Sequence, residues 1–405
     1  MKIQRNFPSV RVTKKAAASL QSGHPWVYTE EITEYNGTFE NVDLVDVISP
    51  KGSYMGTGFI NTNSKIGVRI ISNNANDKFD EAFFKRRLQY AINYRKTVMG
   101  DDITDCRLIF GEADHFPGLT VDRFNNLIVI QVLSLGIEKR IDMLIRLLDE
   151  ILKEDGQKID GYYFRNDVKI RELEGMQQFK GWYEGIPHID SCLTTITENG
   201  ITYNVDIENG QKTGFFLDRK YNRKAVQEIA KGKTVLDCFT HTGSFALNAA
   251  KGGAKKVTAV DVSQTAIDMA AANAKLNNLN NVEFVTADVF DYLNELLNKP
   301  RIYDFIILDP PAFTKSRDTI KNASKGYLEI NKAAMRLLPR GGYLATCSCS
   351  HFIDEDLFKK IINKAAKEAG VGLLQVEARQ QSKDHPILWN VPETSYLKFF
   401  IFQIV

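Results

Sequence analysis

The sequence predicts an α/β protein whose C-terminal half is a doubly wound parallel sheet, preceded by a small β-barrel and a central α+β segment. Three observations carry this. Strand and helix patterns alternate from about residue 200 onward, as successive βα units require. Acidic residues close several of those strands, where a doubly wound sheet opens its ligand crevice. The first 72 residues, by contrast, read as short strands broken by Gly-rich turns. A chain of 405 residues exceeds one ordinary domain, and the expected boundaries are 1–72, 73–195 and 196–405.

In the first segment Val42–Val47 partly alternates, Pro50-Lys51-Gly52 makes a turn, and Gly56-Thr57-Gly58 punctuates the next strand. A helix near Phe83–Val98 follows. The central segment offers strands at Arg107–Phe110, Leu119–Val121 and Leu127–Gln131. Its second helix, from about Glu138 to Lys153, carries Ile141, Leu144, Ile145, Leu148 and Ile151 at near-helical spacing. Further strands are expected at Tyr162–Phe164 and Gln178–Tyr183. The C-terminal half then gives strands at Thr234–Cys238, Lys256–Asp261, Val282–Thr286, Phe305–Leu308 and Tyr343–Cys347, with helices at Ser244–Lys251 and Thr265–Asn277.

Composition excludes several classes. No apolar run is long enough to cross a bilayer, and the start lacks the layout of a secretory signal. Five cysteines, two of them at Cys347 and Cys349, do not suggest a disulfide framework; the expected compartment is the cytoplasm. A net charge of +2 is uninformative, but basic residues cluster at Lys2, Arg5, Arg11, Lys14 and Lys15, and again at Lys85-Arg86-Arg87 with Arg95-Lys96. Such clusters contact phosphates or simply form a solvated face, and charge alone favours the latter.

The first strand of the C-terminal half ends at Asp237 and turns through Phe239, Thr240 and Gly243 into a helix, where glycine lets the backbone approach a ligand. The three-glycine fingerprint of a dinucleotide site is missing, as is a P-loop. Asp261, 24 residues further on, can accept both hydroxyls of a ribose, and Asp288 after the third strand can accept from an adenine amino group. Each acid alone would be read as a helix cap; three in succession point to a nucleoside. Asp309-Pro310-Pro311 follows the fourth strand, a rigid turn typical of methyltransferases that present a base to a methyl donor.

The fifth strand runs into Ser348-Cys349-Ser350-His351. A thiolate at Cys349 could attack carbon-6 of a pyrimidine and so activate carbon-5, which is otherwise too unreactive to methylate. Cys347 reads as a small buried hydrophobe. Cys238, His241, Cys347, Cys349 and His351 are enough donors for zinc, but the usual strand order separates them by ~10 Å, so no metal is expected.

These residues, with Gly23-His24-Pro25-Trp26, Gly111-Glu112-Ala113-Asp114, Pro117-Gly118-Leu119, Val121-Asp122-Arg123, the run from Gly210 to Arg219 and Asp384-His385-Pro386, give nearly the whole chain a resemblance to a family. It resembles the bacterial large-subunit ribosomal RNA cytosine-5 methyltransferases: a PUA domain, a central α+β domain and a class I, Rossmann-like methyltransferase domain. The resemblance implies S-adenosylmethionine as methyl donor, Cys349 as nucleophile and Asp309 holding the base. It implies a cofactor site of Asp237, Phe239, Thr240, Gly243, Asp261, Val262, Asp288 and Asp309, covered by Lys212, Phe216 and Asp218 with Arg219 nearby. Pro310, Pro311 and Phe313 should meet the target base, and Arg5, Lys14 and Lys15 the ribosomal RNA. His351 departs from the small residue expected there. A homodimer is compatible with all of this. Competing expectations are a methyltransferase directed to an amino group or guanine without a covalent step, and a non-catalytic RNA-binding assembly factor. The missing glycine fingerprint disfavours an NAD oxidoreductase.

Overall fold

The computed structural model describes residues 6–314 and 316–405, so Lys2 and Arg5 lie outside the described residues. The chain divides into two compact units. The first runs to Ile196 and takes in Val205–Leu217 and Lys383–Thr394; the second comprises Thr197–Asn204, Asp218–Ser382 and Ser395–Val405.

The first unit opens with a six-stranded mixed sheet, in the order Trp26–Tyr28, Ile66–Ser72, Tyr54–Ile60, Leu44–Ile48, Ser9–Val12 and Ile32–Asn36. Val10, Val12, Val27, Val45, Val47, Ile60 and Val68 form its core with the Lys14–Gln21 helix. A five-stranded sheet follows, its strands ordered Phe179–Trp182, Gly161–Asn166, Leu127–Val132, Leu119–Phe124 and Asp105–Phe110. The helices Glu81–Met99 and Ile141–Glu154 bury Phe83, Leu88, Ile92, Leu144, Leu148 and Ile151 in that sheet's core. Asp80 starts the first of them by accepting a hydrogen bond from the Phe83 amide at 3.0 Å.

Most of the basic cluster on the Glu81–Met99 helix is committed to acids. Lys85 pairs with Glu150 and Glu154, and Lys96 with Asp155. Arg95 is wholly buried: its guanidinium forks onto Asp114 at 2.6 and 2.7 Å and donates to the carbonyls of Arg107 and Asp384 at 2.8 and 2.9 Å. It is neither a phosphate contact nor part of a solvated face. The Asp384 carboxylate accepts from the Arg107 amide at 2.8 Å, so Asp384-His385-Pro386 closes the same network.

The second unit is built on a seven-stranded sheet. We label its strands β1 (Thr234–Cys238), β2 (Lys256–Asp261), β3 (Val282–Thr286), β4 (Phe305–Leu308), β5 (Tyr343–Ser348), β6 (Leu373–Arg379) and β7 (Lys398–Ile404). Their order is β3-β2-β1-β4-β5-β7-β6. The first five run parallel, and β7 is antiparallel to both of its neighbours. The central strands β1, β4 and β5 are buried on both faces, so they are mostly apolar and period-two alternation sorts them. Leu236, Cys238, Ile306 and Leu308 face one core, while Val235, Phe305, Ile307 and Cys347 face the other. Cys238 and Cys347 therefore point to opposite faces of the sheet. Among the described residues no group of three or more His, Cys, Asp or Glu could hold a metal ion. No described helix is long and apolar enough to cross a membrane.

Candidate active site

The strand order brings the carboxyl ends of β1, β2, β4 and β5 to one edge of the sheet, where the polar residues gather. After β1 the chain makes a tight turn in which Phe239, His241 and Gly243 have φ of 64°, 51° and 84°. Left-handed backbone costs a non-glycine residue roughly 1–2 kcal/mol, so two such residues mark a turn held by its surroundings. The His241 amide donates to Asp261 at 2.9 Å, and the Thr240 amide to the Val260 carbonyl at 3.0 Å. Gly243 is required twice over, because a Cβ there would stand 2.9 Å from the Ala270 methyl.

Asp237 is fully buried. One carboxylate oxygen accepts from Thr240 Oγ1 at 2.5 Å and from the Ala246 amide at 2.9 Å. The other, Oδ1, is buried with no hydrogen-bond partner among the described residues. Burial pushes this carboxyl up to about 7, opposed by the Thr240 bond and reinforced by the nearby Asp309 charge. Asp261 accepts one backbone bond on each oxygen, from His241 and Ser263, which leaves further lone pairs on both. The next residue, Val262, is 69% exposed. Asp288 is an N-cap: Oδ1 takes the Phe290 and Asp291 amides at 2.8 and 3.2 Å. The capping role weighed in the sequence is thus real for Asp288, and Asp261 likewise serves its own turn.

At the end of β4, Asp309 meets Arg219, whose Nε lies 2.6 Å from Asp309 Oδ2. Arg219 Nη1 also holds Asp218 at 2.8 Å, and the second Asp218 oxygen accepts from the Tyr396 hydroxyl at 2.6 Å. Arg219 is buried, yet the two carboxylates hold its proton affinity well above the ordinary value against the opposing cost of burial. Among the described residues, Asp309 Oδ1 is a second buried oxygen without a hydrogen-bond partner.

Cys349 follows the end of β5. It is partly exposed, and its Sγ lies 4.0 Å from the Pro310 carbonyl. Cys347 is fully buried, and burial first, then Asp309, pushes its thiol well up. Phe313 packs against Tyr327 at 4.7 Å, with Phe290 and Phe239 at 6.0 and 6.5 Å, giving the Asp-Pro-Pro turn an aromatic flank. Pro311 and His351 are exposed. Lys212 and Phe216 belong to the first unit, where the ammonium sits 4.9 Å from the ring centre. Lys14 and Lys15 are exposed, but Lys15 is paired with Glu31 at 3.0 Å.

Two further polar side chains, Tyr327 and Lys398, stand against the Ser348-Cys349-Ser350 segment. The Tyr327 hydroxyl accepts from Ser348 Oγ at 3.2 Å. Lys398 opens β7 opposite Ser348 and donates to the carbonyls of Ser350 and Tyr396 at 2.7 and 2.8 Å. Burial brings its ammonium down to about 8, with Cys349 acting in the opposite sense. A lysine inside the apolar run of the last strand was the available signal; Tyr327 gave none.

Residues 179–403 match the family described as S-adenosylmethionine-dependent methyltransferases, more than half of the chain. The chain belongs to that family. Residues 10–73 of this methyltransferase match a PUA-like domain. It is 37% identical over 402 residues to "Ribosomal RNA large subunit methyltransferase I" of Klebsiella pneumoniae (strain 342), covering 98% of this chain and 99% of the relative. The protein of the same name from Pseudoalteromonas translucida is 38% identical over 389 residues, covering 95% and 96%. Among solved structures, a provisionally assigned SAM-dependent methyltransferase from Streptococcus mutans superposes with a TM-score of 0.81 at 24% identity, over 98% of this chain and 99% of that one. Another provisional methyltransferase, complexed with SAH, gives 0.83 at 23% identity over the same shares. Both share the fold, a PUA-like β domain followed by a class I methyltransferase. S-adenosylmethionine is the cofactor of this family, and the donor set fits it: two buried carboxylate oxygens, on Asp237 and Asp309, have no hydrogen-bond partner among the described residues and suit a cationic ligand.

Proposed function

We propose that this methyltransferase acts on large-subunit ribosomal RNA and forms 5-methylcytosine through a covalent adduct at Cys349. Its relatives' names support the RNA class. The observation that carries the chemistry is a partly exposed thiol beside the Asp309-Pro310 turn. S-adenosylmethionine supplies an electrophilic methyl group on a sulfonium.

The cofactor would lie across the turn after β1. The ribose hydroxyls would donate to Asp261, and the adenine would rest on exposed Val262 with its amino group toward Asp288. Asp237 and Asp309 would compensate the positive charge of the methionine end, with Thr240 and Gly243 shaping the turn and Phe239 beside it. Asp218, held by Arg219, would cover the site from within the same unit. The target cytosine, unstacked to reach the site, would enter over Pro310, Pro311 and Phe313, with Lys14 and Lys15 contacting RNA elsewhere.

Cys349 Sγ, as the thiolate, forms a bond to carbon-6. The displaced π electrons make carbon-5 nucleophilic while Asp309, oriented by Arg219, holds the pyrimidine edge. Carbon-5 would then accept the methyl group that S-adenosylmethionine supplies, the cofactor leaving as a neutral thioether while the Cys349 bond to carbon-6 stays intact. Loss of the carbon-5 proton to water would then expel Cys349 and restore the aromatic ring, so the thiolate is regenerated.

The test is nucleoside identification after methyl transfer to ribosomal RNA from cells lacking this protein. 5-Methylcytosine made by the wild type and not by Cys349→Ser supports the proposal. A methylated amino group or guanine made equally by both would replace it with the non-covalent reading.

A further inference from the structure

The Glu81–Met99 helix presents residues 86, 90 and 94 on one side, four apart. Arg86, Tyr90 and Tyr94 occupy these positions, and Arg87 sits beside the first. They line a cleft of about 500 Å³ within the first unit, closed by His115 and by Pro386. No part of the methyl-transfer chemistry uses it.

The cleft combines two features that rarely coincide by accident. One is an unused aromatic face. Tyr90 is 63% exposed, and among the described residues its ring has no stacking partner. Tyr94 is 38% exposed but is held in place by its hydroxyl, which donates to the Lys383 carbonyl at 3.0 Å. The exposed Tyr90 ring offers a face on which a flat ring can stack.

The other feature is an uncompensated cation. The Arg87 guanidinium packs 4.4 Å from the centre of the Phe83 ring and donates to the His115 carbonyl at 3.3 Å. Among the described residues no carboxylate is within ion-pair distance of it. Burial, opposed by the Asp77 charge, pulls its proton affinity down to about 10, as expected for a charge desolvated without a partner. Arg86 is 3.7 Å from Asp77, but Asp77 already accepts from Ser72 and Asn74 at 2.6 and 3.2 Å. Asp114, on the cleft wall, is neutralised by Arg95. Two arginines thus face one free acid, leaving an excess positive charge suited to a single phosphodiester.

We propose that this cleft binds one unpaired nucleotide of the RNA substrate, its base stacked on Tyr90 and its phosphate held by Arg87 and Arg86. This rests on the reading that the substrate is RNA. Base stacking on an aromatic face is tolerant of sequence, so the cleft selects an unpaired strand. A duplex keeps its bases stacked inside and cannot use it.

The test measures binding of the full chain to a short oligouridylate and to a short RNA duplex by fluorescence anisotropy, across a salt series, with S-adenosylmethionine affinity as a control for folding. Tyr90→Ala should weaken oligouridylate binding by roughly 5- to 150-fold and leave the duplex unaffected. Arg87→Gln should flatten the dependence of log affinity on log salt by about 0.7 for the single strand, whereas Tyr90→Ala should leave that slope alone. Variants that bind the single strand as tightly as the wild type, or that lose single strand and duplex equally, overturn the cleft assignment while sparing the RNA reading. A wild-type chain that binds neither RNA overturns both.

Discussion

Arg219 Nε lies 2.6 Å from Asp309 Oδ2 while Nη1 of the same guanidinium holds Asp218 at 2.8 Å. One buried cation thus ties the start of the second unit's long segment to the Asp-Pro-Pro turn. An isolated buried carboxylate at the end of β4 would be costly; the ion pair with Arg219 makes it tolerable. Arg219→Lys keeps the charge, but a single ammonium cannot match the planar fork across two carboxylates. The expected result is a fall in kcat of about 10²-fold, the scale of a small misplacement of a reacting group, with the unfolding midpoint moving far less than in Arg219→Ala. Steady-state methylation with parallel urea unfolding checks both.

The two cysteines of the fifth strand region should behave oppositely. Cys349→Ser should lower methyl transfer by roughly 10⁴-fold or more, the scale of losing a nucleophile, while calorimetry finds S-adenosylmethionine binding intact. Cys347→Ser, a buried change of similar volume, should retain most activity and lose a little stability. Equal loss in both variants would mean that the thiols contribute through packing.

Asp237 gives a pH dependence with a definite sign. Its folded proton affinity, near 7, exceeds the ordinary carboxyl value of 3.8. The folded protein therefore keeps a proton that the unfolded chain has lost, and the stability of the free protein from this group falls as pH rises from about 4 to 7. A cationic cofactor favours the ionised form, so its affinity should rise with pH through about 7 and its binding should release protons. Calorimetry in buffers of different ionisation enthalpy measures that release. Asp237→Asn should abolish both the release and the slope.

Arg95→Ala should destabilise the first unit by about 3–5 kcal/mol, because it leaves the Asp114 carboxylate buried and unpaired. Asp114→Asn, which keeps hydrogen-bonding capacity without the charge, should cost less. Chemical denaturation separates the two.

How much of this could be read in advance depended on the range of the interaction. Strands β1 to β4 follow from local apolar runs bounded by acids, and their ends agree with the sequence pattern to the residue. Arg95 shows the opposite case. It shares the buried side of its helix with Leu88, Ile92 and Met99, and a charge at an apolar position signals a buried partner. Its partners stand 19 and 289 residues away, so the partners themselves could not be read. Lys398 had the same signal in an apolar strand, and only the antiparallel register of β7 on β5 puts it opposite Ser348. Tyr327 fits the amphipathic pattern of its helix and carries no mark of its hydroxyl's contact with Ser348.

The covalent step is tested most directly by trapping it. Ribosomal RNA in which cytosines carry fluorine at carbon-5 can accept Cys349 and a methyl group, but it cannot release the thiol, because no carbon-5 proton is present to leave. A stable protein–RNA adduct should form only with S-adenosylmethionine present and should map by mass spectrometry to the peptide containing Cys349. An enzyme that methylates normal ribosomal RNA yet yields no adduct on the fluorinated substrate, or a Cys349→Ser variant that methylates at the wild-type rate, would contradict the covalent step.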